Sequence, residues 1–268
     1  MVKLILVDID RTLVNDDKKI LNRTKKALIE CQERGIKVVI ASGRSPNGIS
    51  NYAQELDLAK YKNYISAQNG SILIKQDNQK QVANHTLNYD KSKELLQYIK
   101  DSGLSTMIYY GGKVFTDDKN KFLVESTSAD NRSEIAERKD FFDNLDFIPN
   151  NIVMMGKDGL LEEWMPGIED KFGKYFDFVL TSKTYFEAMP PGISKATSLK
   201  DLCDLYDIPI EDTLAFGDSD NDYEMIKEAG IGVAMKNATK KILQVADYVT
   251  SSNNDDGIAE YLEKYVLI

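Results

Sequence analysis

The sequence predicts an α/β protein with a doubly wound parallel-sheet core and an inserted α+β domain. Strand and helix signals alternate through the first 75 residues and alternate again from Pro190 onward. Such alternation is typical of parallel strands joined by right-handed helical crossovers. Between these two stretches, strands follow one another directly. We therefore assign residues 1–83 and 188–268 to the core and residues 84–187 to the insert, with a single continuous α/β domain as the alternative.

The individual elements follow from local patterns in chain order. Leu4–Val7 is a short apolar run of the kind that forms a strand buried on both faces. A helix is expected from Asn22 to Arg34, with Asn22 as its N-cap and a glycine after its last turn. The other core predictions are strands at 36–41, 64–67, 71–75, 213–216, 231–235 and 248–250, a turn at Asn69-Gly70, and helices from Ser45-Pro46 and at 197–206, 222–229, 238–245 and 257–265.

The insert is predicted to mix helices with antiparallel strands. Helices are expected around residues 90–102 and 159–172. The sequence predicts one β-hairpin directly, because two consecutive glycines join the predicted strands Met107–Tyr110 and Lys113–Thr116. This pattern differs from the strand–helix alternation on either side and favours a separate α+β domain.

Composition excludes several classes of function. The 268 residues include 34 basic and 43 acidic side chains, for a net charge of −9. A general binder of nucleic acid or of an anionic membrane needs a basic surface, so we expect neither partner, although a local basic pocket remains compatible. No apolar run approaches the ~20 residues of a membrane span, and we expect a cytoplasmic protein.

The single histidine, His85, restricts the chemistry further. Zinc sites with several histidines and iron sites with two cannot be built within one such chain. A Ser-His-Asp triad would need His85, which lies in a polar stretch with no nucleophile motif around it. Any metal should therefore be a hard cation with oxygen ligands, such as Mg²⁺ or Ca²⁺.

Reactive side chains follow three of the predicted core strands. Asp8 and Asp10 follow the first strand, Ser42-Gly43 follow the second, and Asp218 begins an acidic loop after the strand at 213–216. Ligands of open parallel sheets bind at the carboxyl ends of the strands, so these groups should meet at one edge. Two carboxylates 4 Å apart repel by ~4 kcal/mol at an effective dielectric of 20. A Mg²⁺ ion between Asp8 and Asp218 would remove that repulsion.

These residue types suit phosphoryl transfer. A carboxylate such as Asp8 can act as a nucleophile by forming an aspartyl-phosphate. Asp10 lies two residues later, where it can give a proton to the leaving oxygen. The Ser42 hydroxyl and the Gly43 N–H can hold phosphate oxygens, because glycine allows close approach of the backbone.

The ordered motifs resemble those of the haloacid dehalogenase-like (HAD) phosphohydrolases. The segments near residues 232–238, 246–250 and 256–258 are similar to the Cof-type sugar-phosphatase branch. The motifs that carry the resemblance are Asp8-x-Asp10-x-Thr12, Ser42-Gly43-Arg44, a late lysine, and Gly217-Asp218-x-x-Asn221-Asp222. The resemblance covers nearly the whole chain, and it implies a Rossmann-like core with an inserted cap domain.

The resemblance also implies a role for each matching position. Asp8 would be the nucleophile and a metal ligand, and Asp10 the general acid/base whose backbone carbonyl also binds Mg²⁺. Asp218 would complete the metal site, to which Asp222 would also belong as a further acidic partner behind the direct ligands. The remaining implied roles are phosphate binding by Ser42, Gly43, Lys195 and Asn221, bracing of the loop by Thr12, and a place near the hinge or cleft for Arg44 and Glu187.

The predicted function is a Mg²⁺-dependent phosphatase that acts on small phosphorylated metabolites. Three positions depart from the family pattern, since glycine is common where Arg11, Ala196 and Lys236 stand. A phosphate-ligand sensor with little activity and a phosphomutase are the alternatives on the same scaffold. A receiver domain of a signalling system is disfavoured, because it is about half this length and lacks an acid/base aspartate at the position of Asp10.

Overall fold

The computed structural model describes residues 1–157 and 159–268, and their contacts divide the chain into two compact units. The first unit comprises Met1–Gly43, Ile49–Ala83 and Ser194–Ile268, and the second comprises Arg44–Gly48 and Asn84–Ile193. The insert was expected to end at residue 187. Residues up to Ile193 stay with the second unit, where the Gly192 N–H donates to Asp177 Oδ2 at 2.6 Å.

The described residues form the following regular elements. The strands are β1 (Leu4–Val7), β2 (Lys37–Ala41), β3 (Tyr64–Ala67), β4 (Ile72–Lys75), β5 (Gln81–Asn84), β6 (Ser105–Tyr110), β7 (Lys113–Thr116), β8 (Glu134–Glu137), β9 (Ile152–Met155), β10 (Asp177–Ser182), β11 (Tyr185–Met189), β12 (Thr213–Gly217), β13 (Ile231–Ala234) and β14 (Tyr248–Val249). The α-helices are α1 (Asn22–Glu33), α2 (Pro46–Glu55), α3 (Tyr89–Ile99), α4 (Val124–Asp130), α5 (Leu160–Phe172), α6 (Lys195–Tyr206), α7 (Tyr223–Glu228), α8 (Lys240–Val245) and α9 (Gly257–Tyr265).

The first unit is built on one sheet in the order β14-β13-β12-β1-β2-β3-β4-β5. Strand β1 lies between β12 and β2 and is parallel to both, with Val7 opposite Phe216 on one side and Ile40 on the other. The turn after β3 reverses the chain, so β4 is antiparallel to β3. The carboxyl ends of β1, β2 and β12 therefore lie side by side at one edge.

Helices cover both faces of this sheet. The side chains of β1 alternate between two apolar clusters, with Ile5 and Val7 in one and Leu4 and Leu6 in the other. The first cluster includes apolar residues of α1 and α9, and the second includes those of α6 and α7. Every residue of β1 is buried, which explains why its sequence is a continuous apolar run, as expected for a central parallel strand.

The predicted N-cap of the first helix is wrong. Helix α1 begins at Asn22, and the preceding Leu21 makes no side-chain cap. The open helix terminus is capped from elsewhere in the chain, because Asp256 Oδ1 accepts bonds from the Thr24 N–H at 3.0 Å and from the Thr24 hydroxyl at 2.9 Å.

The second unit contains a six-stranded sheet in the order β10-β11-β9-β6-β7-β8. The predicted hairpin is present as the antiparallel pair β6–β7, with Ile108 opposite Phe115. The helices α3 and α5 share an apolar cluster with these strands that includes Leu95, Ile108 and Ile168. The predicted fold class, an α/β core with an α+β insert, is confirmed. No helix in the described part of the chain is long and apolar enough to cross a lipid bilayer.

Candidate active site

Three strand ends bring the predicted site residues together in the first unit. Asp8 follows β1 directly, and its N–H donates to Phe216 O on β12 at 3.1 Å. Ser42 follows β2, and Asp218 follows β12. The parallel register of these strands places all three residues at the same edge of the sheet.

A buried lysine links two of the acidic residues. Lys195, the first residue of α6, is fully buried, and its Nζ lies 2.6 Å from Asp8 Oδ1 and 2.6 Å from Asp222 Oδ1. Ser194 is the N-cap of α6, and its side-chain oxygen accepts a hydrogen bond from the Ala196 N–H at 3.2 Å. The cap fixes the backbone of Lys195, and the two carboxylates fix its side chain.

The loop after β12 is shaped around Asp222. Its Oδ2 accepts bonds from the backbone N–H groups of Asp218 and Ser219, both at 3.0 Å. Gly217 is required here, because a Cβ at that position would lie 2.6 Å from the Asp222 Cβ. Both oxygens of Asp222 are thus engaged, one by Lys195 and one by the loop backbone.

Asp218 is fully buried and held by two hydroxyl groups. Thr12 Oγ1 donates to its Oδ1 at 3.2 Å, and Ser219 Oγ donates to its Oδ2 at 3.1 Å. The Arg11 guanidinium lies beside the same carboxylate, with Nη1 3.6 Å from Oδ2. Thr12 therefore braces the loop, as the family resemblance implied.

The electrostatics of this cluster indicate an excess of negative charge. Burial, and then the charge of Asp222, raise the pKa of Asp8 well above its ordinary value, despite the opposing effect of Lys195. Burial and Asp222 likewise raise the pKa of Asp218 to about 6, and Arg11 opposes the shift. Burial alone would lower the pKa of Lys195, but the charges of Asp222 and Asp8 outweigh it and raise that pKa.

The donor set fits a hard divalent cation. Carboxylate oxygens of Asp8, Asp218 and Asp222 lie within 4.8 Å of one another, and all three residues are buried. The raised pKa values of Asp8 and Asp218 show that Lys195 and Arg11 do not compensate the carboxylates fully. Oxygen ligands of this kind suit Mg²⁺, which usually takes one or two carboxylates and keeps several waters.

Asp10 lies outside this buried cluster. Its side chain is 39% exposed, and its Oδ1 lies 2.6 Å from Lys18 Nζ. Lys18 comes from the turn that follows, where the chain reverses between Val14 and Ile20. The ion pair between Lys18 and Asp10 could not be predicted from the sequence, because a run of surface lysines and aspartates does not show which two of them pair.

The predicted phosphate-binding residues lie on loops beside the acidic cluster. Ser42 is buried, and its carbonyl accepts a bond from the Asn69 N–H at 3.0 Å. Asn221 Nδ2 donates to Asn69 Oδ1 at 2.9 Å. A Cβ on Gly43 would lie 3.1 Å from that same Oδ1, so glycine is what allows Asn69 to approach this loop.

Asn69 is a site residue that the sequence analysis missed. It lies between Gly43 and Asn221, it is buried, and its backbone has a φ of +52°. Its side-chain Nδ2 is buried without a hydrogen-bond partner. Buried donors are paired in most native structures, so this donor is available to bind a group that enters the site. The Asn-Gly pair was assigned only to a turn, and that signal carries no information about the side chain.

Two further predicted residues belong to the second unit. Arg44 Nη1 donates to Asp130 O at 2.9 Å, and Glu187 Oε2 accepts a bond from Asn151 Nδ2 at 3.2 Å. Ala196, where the family often has glycine, is buried in the first turn of α6 and leaves the cap of that helix intact.

Comparison with known proteins identifies the family. A family model described as haloacid dehalogenase-like hydrolase matches residues 5–262. The chain therefore belongs to the haloacid dehalogenase-like hydrolase family. A Bacillus subtilis (strain 168) protein, named 5-amino-6-(5-phospho-D-ribitylamino)uracil phosphatase YcsE, is 28% identical over 269 residues, which are 99% of this chain and 96% of that protein.

Solved structures agree with this family. The chain is similar to a haloacid dehalogenase-like hydrolase from Bacteroides thetaiotaomicron, with a TM-score of 0.92 and 31% identity over 98% of this chain and 99% of that one. A sugar phosphatase of HAD subclass IIB shares the fold, with a TM-score of 0.83 at 22% identity over 99% of this chain and all of that one. The sequence prediction of a HAD-type phosphatase is confirmed at the level of family and enzyme class.

Proposed function

We propose that this chain is a Mg²⁺-dependent phosphatase that hydrolyses phosphoric monoesters of small metabolites through a phosphoryl group carried by Asp8. The observation that carries the proposal is the convergence of Asp8, Asp218 and Asp222 around the buried Lys195. The fixed ammonium group of Lys195 favours the ionised form of Asp8 and holds its carboxylate in one direction, as a nucleophile needs.

The first half-reaction transfers the phosphoryl group to the enzyme. An oxygen of Asp8 attacks phosphorus while the bond from phosphorus to the ester oxygen breaks. Asp10 gives a proton to the departing oxygen, so that an alcohol leaves. Lys195 holds Asp8 in place through the 2.6 Å contact with its Oδ1.

The second half-reaction restores the enzyme. Asp10, now ionised, takes a proton from a water molecule as the water attacks phosphorus, and the bond between phosphorus and Asp8 breaks. Inorganic phosphate leaves, and Asp8 is again a carboxylate. Asp10 suits both steps because its side chain is partly exposed.

The phosphate oxygens are held by donors from the start of α6 and from the segments that follow β2, β3 and β12. Ser42, Gly43, Lys195 and Asn221 supply them, and the unpaired Nδ2 of Asn69 adds a further donor. Mg²⁺ would be held by the carboxylates of Asp8 and Asp218 and by the backbone carbonyl of Asp10. Asp222 would position Lys195 beside these ligands. The bound ion would neutralise negative charge on the phosphoryl group during its transfer.

The test is phosphate release from an aryl phosphate with and without EDTA, with the Asp8→Asn variant as control. We expect EDTA to abolish turnover and added Mg²⁺ to restore it. We also expect an acid-stable phosphoryl label on the wild-type protein and none on the Asp8→Asn variant. Turnover that persists in EDTA, or in the variant, would contradict the metal or the nucleophile respectively.

The substrate is then found with a panel of phosphorylated metabolites. The panel includes sugar phosphates, flavin mononucleotide, pyridoxal phosphate and the phosphoribitylamino-uracil for which the Bacillus relative is named. A clear preference in kcat/KM identifies the substrate class, and a flat profile would indicate a phosphatase of broad specificity.

A phosphate-ligand sensor is the second candidate function. The observation that favours it is the ion pair between Lys18 and Asp10, which engages the group that must donate a proton. A sensor would bind inorganic phosphate or a phosphorylated ligand in calorimetry and release no phosphate from any compound of the panel.

A further inference from the structure

Arg11 occupies a backbone conformation that disfavours it. Its φ is +62° and its ψ is 11°, in the left-handed region where glycine is the usual residue. The family resemblance leads one to expect glycine at this position, so this chain keeps an arginine against a local cost. A residue held in such a conformation at an active site is a reason to look for a function.

The arginine is held in place by a reciprocal pair of hydrogen bonds. Asn237 Nδ2 donates to Arg11 O at 2.8 Å, and Arg11 Nη2 donates to Asn237 O at 3.1 Å. One bond fixes the backbone and the other fixes the guanidinium. Asn237 is itself anchored, because its Oδ1 accepts a bond from the Asn253 N–H at 3.1 Å.

The fixed guanidinium faces a proposed metal ligand. Nη1 lies 3.6 Å from Asp218 Oδ2, while the Arg11 side chain is 57% exposed and that of Asp218 is fully buried. In the described part of the chain, Lys195 contacts two of the three buried carboxylates, those of Asp8 and Asp222. Arg11 is thus the cation that the structure pairs with Asp218.

From this geometry we infer that Arg11 acts as a built-in counter-cation that competes with the divalent metal for Asp218. A bound ion must share Asp218 with the positive charge of this guanidinium, and the repulsion between the two cations weakens metal binding. This chain therefore binds Mg²⁺ more weakly than the same protein with an uncharged residue at position 11. Arg11 is a positioning residue for the metal site, and the inference depends on the proposed function only in taking Asp218 as a ligand.

The test measures Mg²⁺ binding directly, without substrate. Calorimetry and the Mg²⁺-induced rise in melting temperature are followed for the wild type and for Arg11→Gln, Arg11→Lys and Arg11→Gly. We expect Arg11→Gln and Arg11→Gly to bind Mg²⁺ roughly tenfold more tightly, equivalent to about 1.4 kcal/mol, and Arg11→Lys to stay near the wild type. The glycine variant relieves the backbone as well, so it remains informative if the glutamine variant folds poorly.

The control is Arg34→Gln, which removes one positive charge at the end of α1, before β2 begins and thus away from the carboxyl edge of the sheet. Its Mg²⁺ affinity should equal that of the wild type. Unchanged or weaker binding in Arg11→Gln and Arg11→Gly would overturn the inference, as would an equal gain in Arg34→Gln. If the wild type hydrolyses phosphoesters with Mg²⁺ but the Arg11 variants bind Mg²⁺ with the wild-type affinity, this inference alone is refuted. The absence of Mg²⁺ binding in every variant refutes the metal site itself.

Discussion

Replacing Asp218 by asparagine should stabilise the metal-free protein at alkaline pH. Burial raises the pKa of this carboxyl from 3.8 to about 6. The folded state therefore holds the proton more tightly than the unfolded state, and stability falls as the pH rises through that interval. A difference of roughly two pKa units between the folded and unfolded states corresponds to about 3 kcal/mol in the free energy of unfolding. This contribution to stability is present at low pH and is lost once the pH exceeds about 6.

Asparagine removes this penalty because it does not ionise. It also loses one acceptor, since its amide nitrogen replaces an oxygen that now accepts a bond from Thr12 or Ser219. A lost hydrogen bond costs about 1 kcal/mol. The expected net effect at pH 8 in EDTA is a gain of about 1–2 kcal/mol. Most of it disappears near pH 4, where the folded carboxyl is protonated and about half of the unfolded carboxyls are.

Urea unfolding in EDTA at pH 8 and pH 4 measures this effect. Far-UV circular dichroism is the suitable probe, because the single tryptophan, Trp164, lies on α5 in the unit without the site. Saturating Mg²⁺ should stabilise the wild type, by about 2.7 kcal/mol at a hundred times its Kd, and the variant much less. A variant that is destabilised equally at both pH values would refute the electrostatic reasoning.

Three further substitutions test the remaining parts of the site. Asp8→Asn should lower kcat by about a thousandfold or more with an unchanged circular dichroism spectrum, and any substantial residual turnover would exclude Asp8 as the nucleophile. Lys195→Met should lower the free energy of unfolding by about 3–5 kcal/mol in urea titrations, because it leaves Asp222 and Asp8 buried without their cation; a smaller loss would mean that these carboxylates are protonated. Asn69→Asp should raise the inhibition constant of inorganic phosphate roughly tenfold, since it replaces a donor by a charged acceptor, while Asn78→Asp makes the same charge change on an exposed turn and should leave that constant unaltered.

The meeting of Asp8 and Asp218 could be predicted because topology alone brings them together. Each follows an apolar run, and parallel strands end at a common edge whatever the intervening chain does. Lys195 could not be placed in this way. Its burial depends on the position of α6 against the sheet, and only the family resemblance singled it out among the lysines of the chain.

The features that sequence reasoning missed depend on contacts between distant segments. The cap of α1 comes from Asp256, far along the chain, so the local pattern pointed to Asn22 instead. The sequence predicts only a turn at Asn69, and its contacts with Asn221 and Gly43 are evident only in the structure. Local propensity describes how the backbone bends, and it does not reveal which side chains a distant loop will meet.

The site residues also serve as the cross-links of the first unit. Thr12 bonds to Asp218, Lys195 joins Asp8 to Asp222, and Asn221 bonds to Asn69, so loops from separate strands are tied by the same groups that are proposed to act on the substrate. These ties concentrate buried charge, and burial, followed by the charge of Asp222, raises the pKa of Asp8. Substitutions that neutralise a carboxylate can therefore stabilise the fold while removing a proposed metal ligand. This is the trade-off between stability and activity expected where a site concentrates buried charge. Removing Lys195 should do the opposite, because it leaves the carboxylates uncompensated and weakens the fold together with the site.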